Sequence, residues 1–344
     1  MDVSLDRGPQ SRCIGIGVPA RDEDRAFFER ELSSFVPERV FDAHCHLWPQ
    51  GQLASRWPNV PAAVGAAEYR RMMEWLLPGR TLGSLFVPFP LDRATVAPAN
   101  QWIARQVASD RAGVPSRGLF LVHPDDDVDW VAEQVRRLGL SGLKCYHYLA
   151  AGESTWELDI PAYLPERFMS AADRAGWVLL LHLVKARAVA DAGNQHWLRH
   201  YCRTYPRAKL VLAHCARGFQ PAHNLEGLPA LTDLDNLYFD CSANCEAIAH
   251  ESVIRLMGHR RLMYGSDFFV SHLRGRSVAA ADSFLWLYEQ TPVWEEKQAS
   301  IRPVLAGLES LRALKWACWS AKLTDGQVED IFWNNAAALY GLES

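Results

Sequence analysis

Two histidines separated by a single residue, His44 and His46, end an apolar segment in the stretch FDAHCHLWP. In an extended strand, residues i and i+2 project from the same face about 6.6 Å apart, so both imidazoles can reach one metal ion. A His-x-His pair also arises by chance from surface or core histidines. Because a metal site needs three or four ligands, other segments must supply the remaining ones.

Further ligand-type side chains close other apolar segments. The segment LLLHL ends near His182, LVLAHC near His214 and LMYGSDF near Asp267, while GLKCYHY carries Lys144 and His147. Each histidine taken alone is more often a hydrogen-bonded structural residue. Parallel barrel strands bring their carboxyl ends to one rim, so the joint pattern predicts convergence on one centre.

The elements that must position these residues alternate regularly along the chain. Apolar strands are predicted at residues 39–46, 82–88, 118–123, 142–148, 177–183, 209–214, 237–242 and 262–267. Helical spacing lies between them, for example at 127–138 and 165–175. Strands that are apolar on both faces and alternate with helices are typical of a parallel sheet. About eight such units over roughly 250 residues predict an α/β fold, a (β/α)8 TIM barrel, rather than a doubly wound sheet.

Two segments exceed a minimal barrel. The insertion at 47–80, after the first strand, contains a helical stretch at 66–77 that either covers the active site or packs on the side of the barrel. The C-terminal extension beyond Phe268 is predicted to be helical, with a capping signal in Thr324 and Gln327. We expect an N-terminal arm and helix over residues 1–36 and a single barrel domain over 37–344.

Composition narrows the function classes. A net charge of −4 and a pI near 6.3 leave no basic surplus for binding phosphates, which disfavours nucleic acid and favours a small-molecule substrate. No apolar run reaches the roughly 20 residues that span a bilayer, and the start lacks a signal-peptide hydrophobic region. No membrane partner is therefore expected, and the location is predicted to be cytoplasmic. The eight cysteines contain no CxxC pair, which indicates reduced, buried thiols.

The chain resembles the amidohydrolase superfamily, in its amidohydrolase-related branch of metal-dependent hydrolases, lactonases and nonoxidative decarboxylases. The resemblance runs from about Phe41 to Leu342. It rests on DAHCHLW, YPRAKLVLAHCARGF, LYFDCSA, MYGSDF and IFWNNAAALYGL. These motifs are specific for the fold and the metal site, and less specific for the reaction. Since related barrels are often dimeric, a homodimer or higher homo-oligomer is expected.

The resemblance implies that His44, His46, His182 and Asp267 hold a divalent metal, and that His214 is a second-metal ligand or a catalytic histidine. Imidazole and carboxylate donors suit Zn²⁺, with Mn²⁺ or another first-row ion also compatible. The metal would lower the pKa of a bound water toward about 7. Asp267 could accept a proton from that water, so Asp267 and His214 are the catalytic candidates.

Lys144 is open to three interpretations. Some superfamily members carry a carboxylated lysine at this position that bridges two metals, although this branch usually works with one metal. Alternatively, Lys144 is a substrate-binding cation or a member of a structural ion pair.

Arginine is the side chain best shaped to hold a substrate carboxylate through two parallel hydrogen bonds. Arg217, three residues after His214, and Arg274, in the loop after the last barrel strand, are therefore candidates. Further candidates for lining the pocket are His147, Tyr148 and Trp48.

Hydrolysis is the leading hypothesis for function: a metal-activated water attacks an amide, lactone or related carbonyl of a small carboxylate-bearing molecule. The alternative is metal-dependent nonoxidative decarboxylation of an aromatic or unsaturated carboxylic acid. A non-catalytic barrel would be marked by a lost metal ligand, and the sequence shows no such loss.

Overall fold

Strands and helices alternate along a computed structural model that describes residues 20–53, 60–89, 93–111, 113–152, 154–289, 291 and 303–342. The strands are β1 Arg39–Leu47, β2 Thr81–Pro88, β3 Arg117–Gly118, β4 Phe120–Leu121, β5 Gly142–Cys145, β6 Val178–Leu181, β7 Lys209–Leu212, β8 Leu237–Asp240, β9 Leu262–Met263, β10 Gly275–Ala280 and β11 Ser283–Tyr288. The α-helices are Asp22–Phe27, Ala66–Met73, Arg93–Ser109, Val128–Arg137, Glu166–Ala175, Ala192–Thr204, Pro221–Gly227, Ala247–Leu256, Ala306–Ser320, Asp325–Glu329 and Asn335–Tyr340.

The first nine strands pair in parallel and in chain order. β1, β2 and β3 form one run and β4 to β9 another. Leu119 separates β3 from β4, and its N–H donates to the Phe86 carbonyl at 3.1 Å, so the two short strands act as a single barrel strand. The strands are nearly all apolar and buried, as in β6, where every residue is buried. Parallel strands that are buried on both faces are typical of an α/β architecture, because the crossover helices cover the sheet.

Backbone hydrogen bonds join the last barrel strand to the first. The Ala43 N–H donates to the Tyr264 carbonyl at 2.9 Å, and the Asp267 N–H donates to the His44 carbonyl at 2.7 Å. A third bond, from the His46 N–H, follows further along β1. The sheet therefore closes on itself, and the predicted TIM barrel is confirmed.

A shift in strand register lies in the middle of β1, between Asp42 and Cys45. Before the shift, Phe41 and Ala43 belong to an apolar cluster that fills the barrel with side chains of β2, β6, β7 and β9. After it, Cys45 packs with the outer core. Bulges of this kind re-aim side chains next to active sites, and here the bulge lets His44 face the barrel mouth together with His46.

The insertion after β1 packs on the side of the barrel. Its helix Ala66–Met73 buries Tyr69 and Met72 completely, and no described residue between 47 and 80 lines the cavity described below. Of the two alternatives left open by the sequence, the structure favours the packed helix.

The expectation that the chain is helical after the barrel is wrong for its first part. β10 and β11 form an antiparallel hairpin whose two-residue turn is Ala281–Asp282, and the next described helix begins at Ala306. The sequence SFLWLY of β11 is rich in aromatic residues, which favours strand over helix. None of the described helices is both long and apolar enough to cross a membrane. The domain division at residues 36 and 37 stays a prediction, and residues 1–19 lie outside the described part.

Candidate metal centre

Three side chains, two from the first barrel strand and one that follows the last, converge at the mouth of the barrel. His44 Nε2 lies 3.9 Å and His46 Nε2 3.5 Å from Asp267 Oδ1. All three ligand atoms lie within 4.8 Å of one another. A tetrahedral zinc ion with bonds of about 2.05 Å separates its ligands by about 3.4 Å. The nitrogen and oxygen donors therefore fit a divalent metal in both kind and spacing.

Both imidazoles are oriented by their second nitrogen. His44 Nδ1 donates to Asp240 Oδ2 at 3.0 Å, and His46 Nδ1 donates to the Pro88 carbonyl at 3.1 Å. Burial lowers the pKa of His44 to about 4, with Lys144 adding to the shift, so this imidazole is neutral at pH 7. His44 thus presents a lone pair on Nε2, as a metal ligand must, and the Nε2 of His46 faces Asp267.

Asp267 is the carboxylate of this group. It follows β9 in a left-handed conformation, with φ +52°, and its side chain is 12% exposed at the floor of a cavity. Burial on its own would raise the pKa of Asp267. The hydrogen bond with His46 and the nearby imidazoles outweigh that effect and hold the pKa well below the usual range. The carboxylate is therefore ionised and able to bind a cation.

Asp240, at the end of β8, is a functional candidate that the sequence reasoning missed. It is fully buried, and besides the bond from His44 it accepts hydrogen bonds from the His214 N–H at 3.0 Å and the Ser242 N–H at 3.0 Å. Its position at the end of an apolar strand, in LYFDCSA, is the signal that could have found it. Asp240 ties together two histidines of the centre.

His214 opens a strained turn. Residues 214 to 217 all have positive φ, between +51° and +59°, although none is glycine. Left-handed geometry costs roughly 1–2 kcal/mol per residue, and such strain persists where the surroundings determine it, commonly at functional sites. The turn places His214 Nδ1 2.9 Å from Ser242 Oγ and stacks the His214 ring on His44, with ring centroids 5.2 Å apart. It also carries Arg217 to the cavity wall.

His182 lines the same cavity, and its ring centroid lies 5.1 Å from that of His214. It belongs neither to the cluster of His44, His46 and Asp267 nor to a second cluster of close ligand atoms, formed by His44, His214 and Asp240. Its role as a fourth metal ligand therefore stays a prediction. His147 does not line the cavity. It is buried behind the cavity wall, where its Nδ1 lies 2.9 Å from Thr155 Oγ1, and burial lowers its pKa to about 3.

Lys144 lies beside the donors. Its side chain is fully buried, its Nζ is 3.4 Å from His44 Nε2, and burial lowers its pKa to about 8. Among the described residues, no carboxylate oxygen lies within 4.0 Å of this amine, so the structural ion pair is not found. The carboxylated bridge stays a prediction.

A cavity of about 640 Å³ opens above the donors. Its walls are largely aromatic: Phe89, Tyr146, Tyr148, Trp156, Phe219, Phe269, Phe284 and Trp286. Among the described residues that line the cavity, the lysine and arginine side chains are Lys185 and Arg217, and Lys185 pairs with Asp159 and Asp191. The cavity therefore offers aromatic surfaces and a guanidinium to a small molecule next to the metal donors.

Two predicted substrate-binding residues lie elsewhere. Trp48 is fully buried, stacks on Phe268 and donates to the Pro61 carbonyl at 2.9 Å. Arg274 is buried in an ion pair with Asp24, at 2.6 and 2.9 Å, because the hairpin directs its side chain toward the N-terminal helix. Neither residue lines the cavity, so the structure does not support a substrate-binding role for Trp48 or Arg274.

Comparisons with known proteins place this geometry in context. A family model described as Amidohydrolase matches residues 41–342. No curated protein matches the chain.

Solved structures share the fold at low sequence identity. A candidate 2-pyrone-4,6-dicarboxylic acid hydrolase from Pseudomonas putida is 17% identical, with a TM-score of 0.53 over 89% of this chain and 98% of the other. A 2,6-dihydroxybenzoate decarboxylase from Rhizobium is 13% identical, with a TM-score of 0.58 over 89% and 99%. An amidohydrolase from Burkholderia multivorans with bound zinc is 15% identical, with a TM-score of 0.54 over 88% and 99%.

Proposed function

Because this chain belongs to the amidohydrolase family, we propose that it is a metal-dependent hydrolase. The proposed substrate is a small carboxylate-bearing amide, lactone or related carbonyl compound. The observation that carries the proposal is the convergence of His44, His46 and Asp267 beneath an open cavity. His182 and a carboxylated Lys144 are proposed as further ligands, and Zn²⁺ as the metal, with Mn²⁺ or another first-row ion as the other option.

A divalent metal in this group would lower the pKa of a water ligand and polarise a carbonyl oxygen. Asp267 has a second carboxylate oxygen that can accept a proton from the attacking water. Ser242 fixes the ring of His214 through Nδ1, so that Nε2 can take up the proton that the water gives to Asp267 and return it to the leaving group. Burial of both side chains keeps bulk water away from these transfers.

The cavity walls support a flat, anionic substrate. Arg217 can hold a carboxylate through two parallel hydrogen bonds, and the aromatic rings provide stacking surfaces for a planar group. Tyr148 lies among these rings. We propose Arg217 and Tyr148 as substrate-binding residues.

The same walls favour a second candidate function, nonoxidative decarboxylation of an aromatic or unsaturated carboxylic acid. An aromatic cavity with a guanidinium beside the metal donors suits such an acid as well as it suits a lactone. The structurally similar Rhizobium enzyme is a decarboxylase of 2,6-dihydroxybenzoate. The two candidates differ in whether water enters the product.

The test is turnover of metal-loaded protein on lactones, amides and aryl carboxylates in ¹⁸O-labelled water. Hydrolysis incorporates the label, whereas CO₂ release without label in the organic product establishes the second candidate. Asp267→Asn should lower kcat by about 10²- to 10⁴-fold, because the proton acceptor is lost. The exposed Asp235→Asn, far from the cavity, is the matched control. An Asp267→Asn variant with near-normal turnover contradicts both candidates.

A further inference from the structure

The hairpin of β10 and β11 forms one wall of the cavity. Asp282 in its turn, and Ser283, Phe284 and Trp286 on β11, all line the cavity. Phe284 and Trp286 are two residues apart, so they share one face of the strand. The hairpin follows the barrel in the chain and belongs to none of its strands.

Contacts with loops at the barrel mouth fix the hairpin in place. Gln220 Nε2 donates to the Ala281 carbonyl at 2.6 Å, and His223 Nε2 lies 2.9 Å from Asp282 Oδ1. Also near the turn, the Ala279 N–H donates to Glu246 Oε1 at 3.0 Å. These contacts hold the hairpin in a fixed position beside the cavity.

The Arg217 guanidinium lies between two aromatic rings from different parts of the chain. Its Cζ is 5.1 Å from the ring centroid of Trp156 and 5.7 Å from that of Phe284. Its Nη1 donates to the Lys185 carbonyl at 2.7 Å. The distances from Cζ to the two ring centroids are within the range of cation–π attraction, which orients the guanidinium plane.

Phe284 itself is held by stacking. Its ring centroid is 4.5 Å from that of Phe219, with an angle of 22° between the planes. Phe219 in turn lies against His214, at 5.5 Å. Phe284 is partly buried, so its position depends on this stack and on the hairpin backbone.

We propose that Phe284 is a positioning residue for substrate recognition, which together with Trp156 holds Arg217 in the orientation that binds a substrate carboxylate. The hairpin then determines how strongly the cavity prefers anionic over neutral ligands of the same shape. This inference rests on the proposed function, in which Arg217 binds that carboxylate.

The experiment compares two probes of equal shape on the metal-loaded full chain. Calorimetric titration measures binding of benzoate, which carries the carboxylate, and of benzamide, which does not. Phe284→Leu should weaken benzoate binding by roughly 5- to 10-fold and change benzamide binding less than twofold, because only the cation–π support of Arg217 is lost. Phe284→Tyr should restore benzoate binding, since it restores the ring.

Leu285→Ala is the matched control, because Leu285 neighbours Phe284 on β11 and projects from the opposite face. It should leave the ratio of the two affinities unchanged. Thermal melting of each variant shows whether it is folded. If Phe284→Leu does not fold, Phe284→Tyr still tests the positioning role, because it keeps the ring.

Arg217→Met separates this inference from the proposed function. If Arg217→Met loses the preference for benzoate while Phe284→Leu keeps it, the positioning role is overturned and the carboxylate site stands. An equal loss of benzoate and benzamide in Phe284→Leu also overturns the positioning role, since it indicates only structural support. If Arg217→Met leaves benzoate binding unchanged, the carboxylate site and the inference both fail. If the wild-type protein shows no metal-dependent turnover, the proposed reaction fails, and the benzoate and benzamide affinities still decide the positioning role.

Discussion

Two buried carboxylates organise the residues of the metal centre. Asp42 accepts hydrogen bonds from the His44 N–H at 3.1 Å and the Ser266 N–H at 2.8 Å, which ties β1 to the segment that carries Asp267. Asp240 does the same for the side chain of His44 and the backbone of His214. The strained and polar mouth of the barrel is therefore held by hydrogen bonds, whereas its interior is held by apolar packing.

At this scale we predict that Asp240→Asn lowers metal affinity by about 10- to 100-fold, because the amide cannot orient His44 as the carboxylate does. Competition with a chelating dye on the purified protein measures the affinity. Asp235→Asn, on the exposed surface, serves as the control, and circular dichroism verifies that the fold is kept. Unchanged metal affinity in folded Asp240→Asn would show that His44 does not need this partner.

Among the elements, the β10–β11 hairpin depends on a glycine at its first residue. Gly275 has φ +137°, and a Cβ there would lie 2.0 Å from the Leu287 carbonyl oxygen on the partner strand. Only a residue without a side chain allows this close approach of the two strands.

We predict that Gly275→Ala displaces the hairpin, lowers the free energy of unfolding by roughly 2 kcal/mol or more and weakens benzoate binding. Urea unfolding and calorimetry check the two effects. Gly326→Ala is the matched control, because its Cβ meets nothing within 4 Å in the helix Asp325–Glu329. That control should be neutral or more stable by up to about 1 kcal/mol. A Gly275→Ala protein as stable as the wild type would contradict the close approach.

For the whole molecule, buried histidines outside the metal centre link stability to pH. Burial lowers the pKa of His250 and of His272 to about 4, against about 6.5 in an unfolded chain. Between these values the unfolded chain binds protons that the folded chain does not. The stability contributed by the neutral forms is complete above about pH 6.5 and is lost as the pH falls toward 4.

We predict that metal-free protein loses stability from pH 7 to pH 4.5, with each of these histidines contributing up to about 1.4 kcal/mol per pH unit. Urea unfolding at several pH values measures the slope. His272→Gln should flatten the slope, because it removes the imidazole that takes up a proton on unfolding. The glutamine amide can still donate to the Met72 carbonyl, which His272 contacts at 3.0 Å, so the fold should be kept. The exposed His196→Gln serves as the control variant. An equal slope in His272→Gln and wild type would argue against this linkage.

A cytoplasmic location and a homo-oligomeric assembly also remain predictions at this scale.

The sequence by itself determined the barrel and the first members of the centre. Alternating apolar strands and helices predicted the fold, and His44, His46 and Asp267, each placed at a strand end, do lie together. Local signals were equally readable: the Thr324 side chain caps a helix together with Gln327, as predicted. Such features depend on period and on neighbours in the chain, which are written into the order of residues.

Only the tertiary structure decided how distant segments meet. Asp240 contacts His44 across 196 positions, Arg274 turns to Asp24, and the hairpin brings Phe284 against Arg217. The bulge in β1 also changes which side chains face the cavity. The physical reason is that a periodic pattern fixes which face of an element is buried, whereas side-chain partners follow from barrel closure and strand register, which no local pattern encodes.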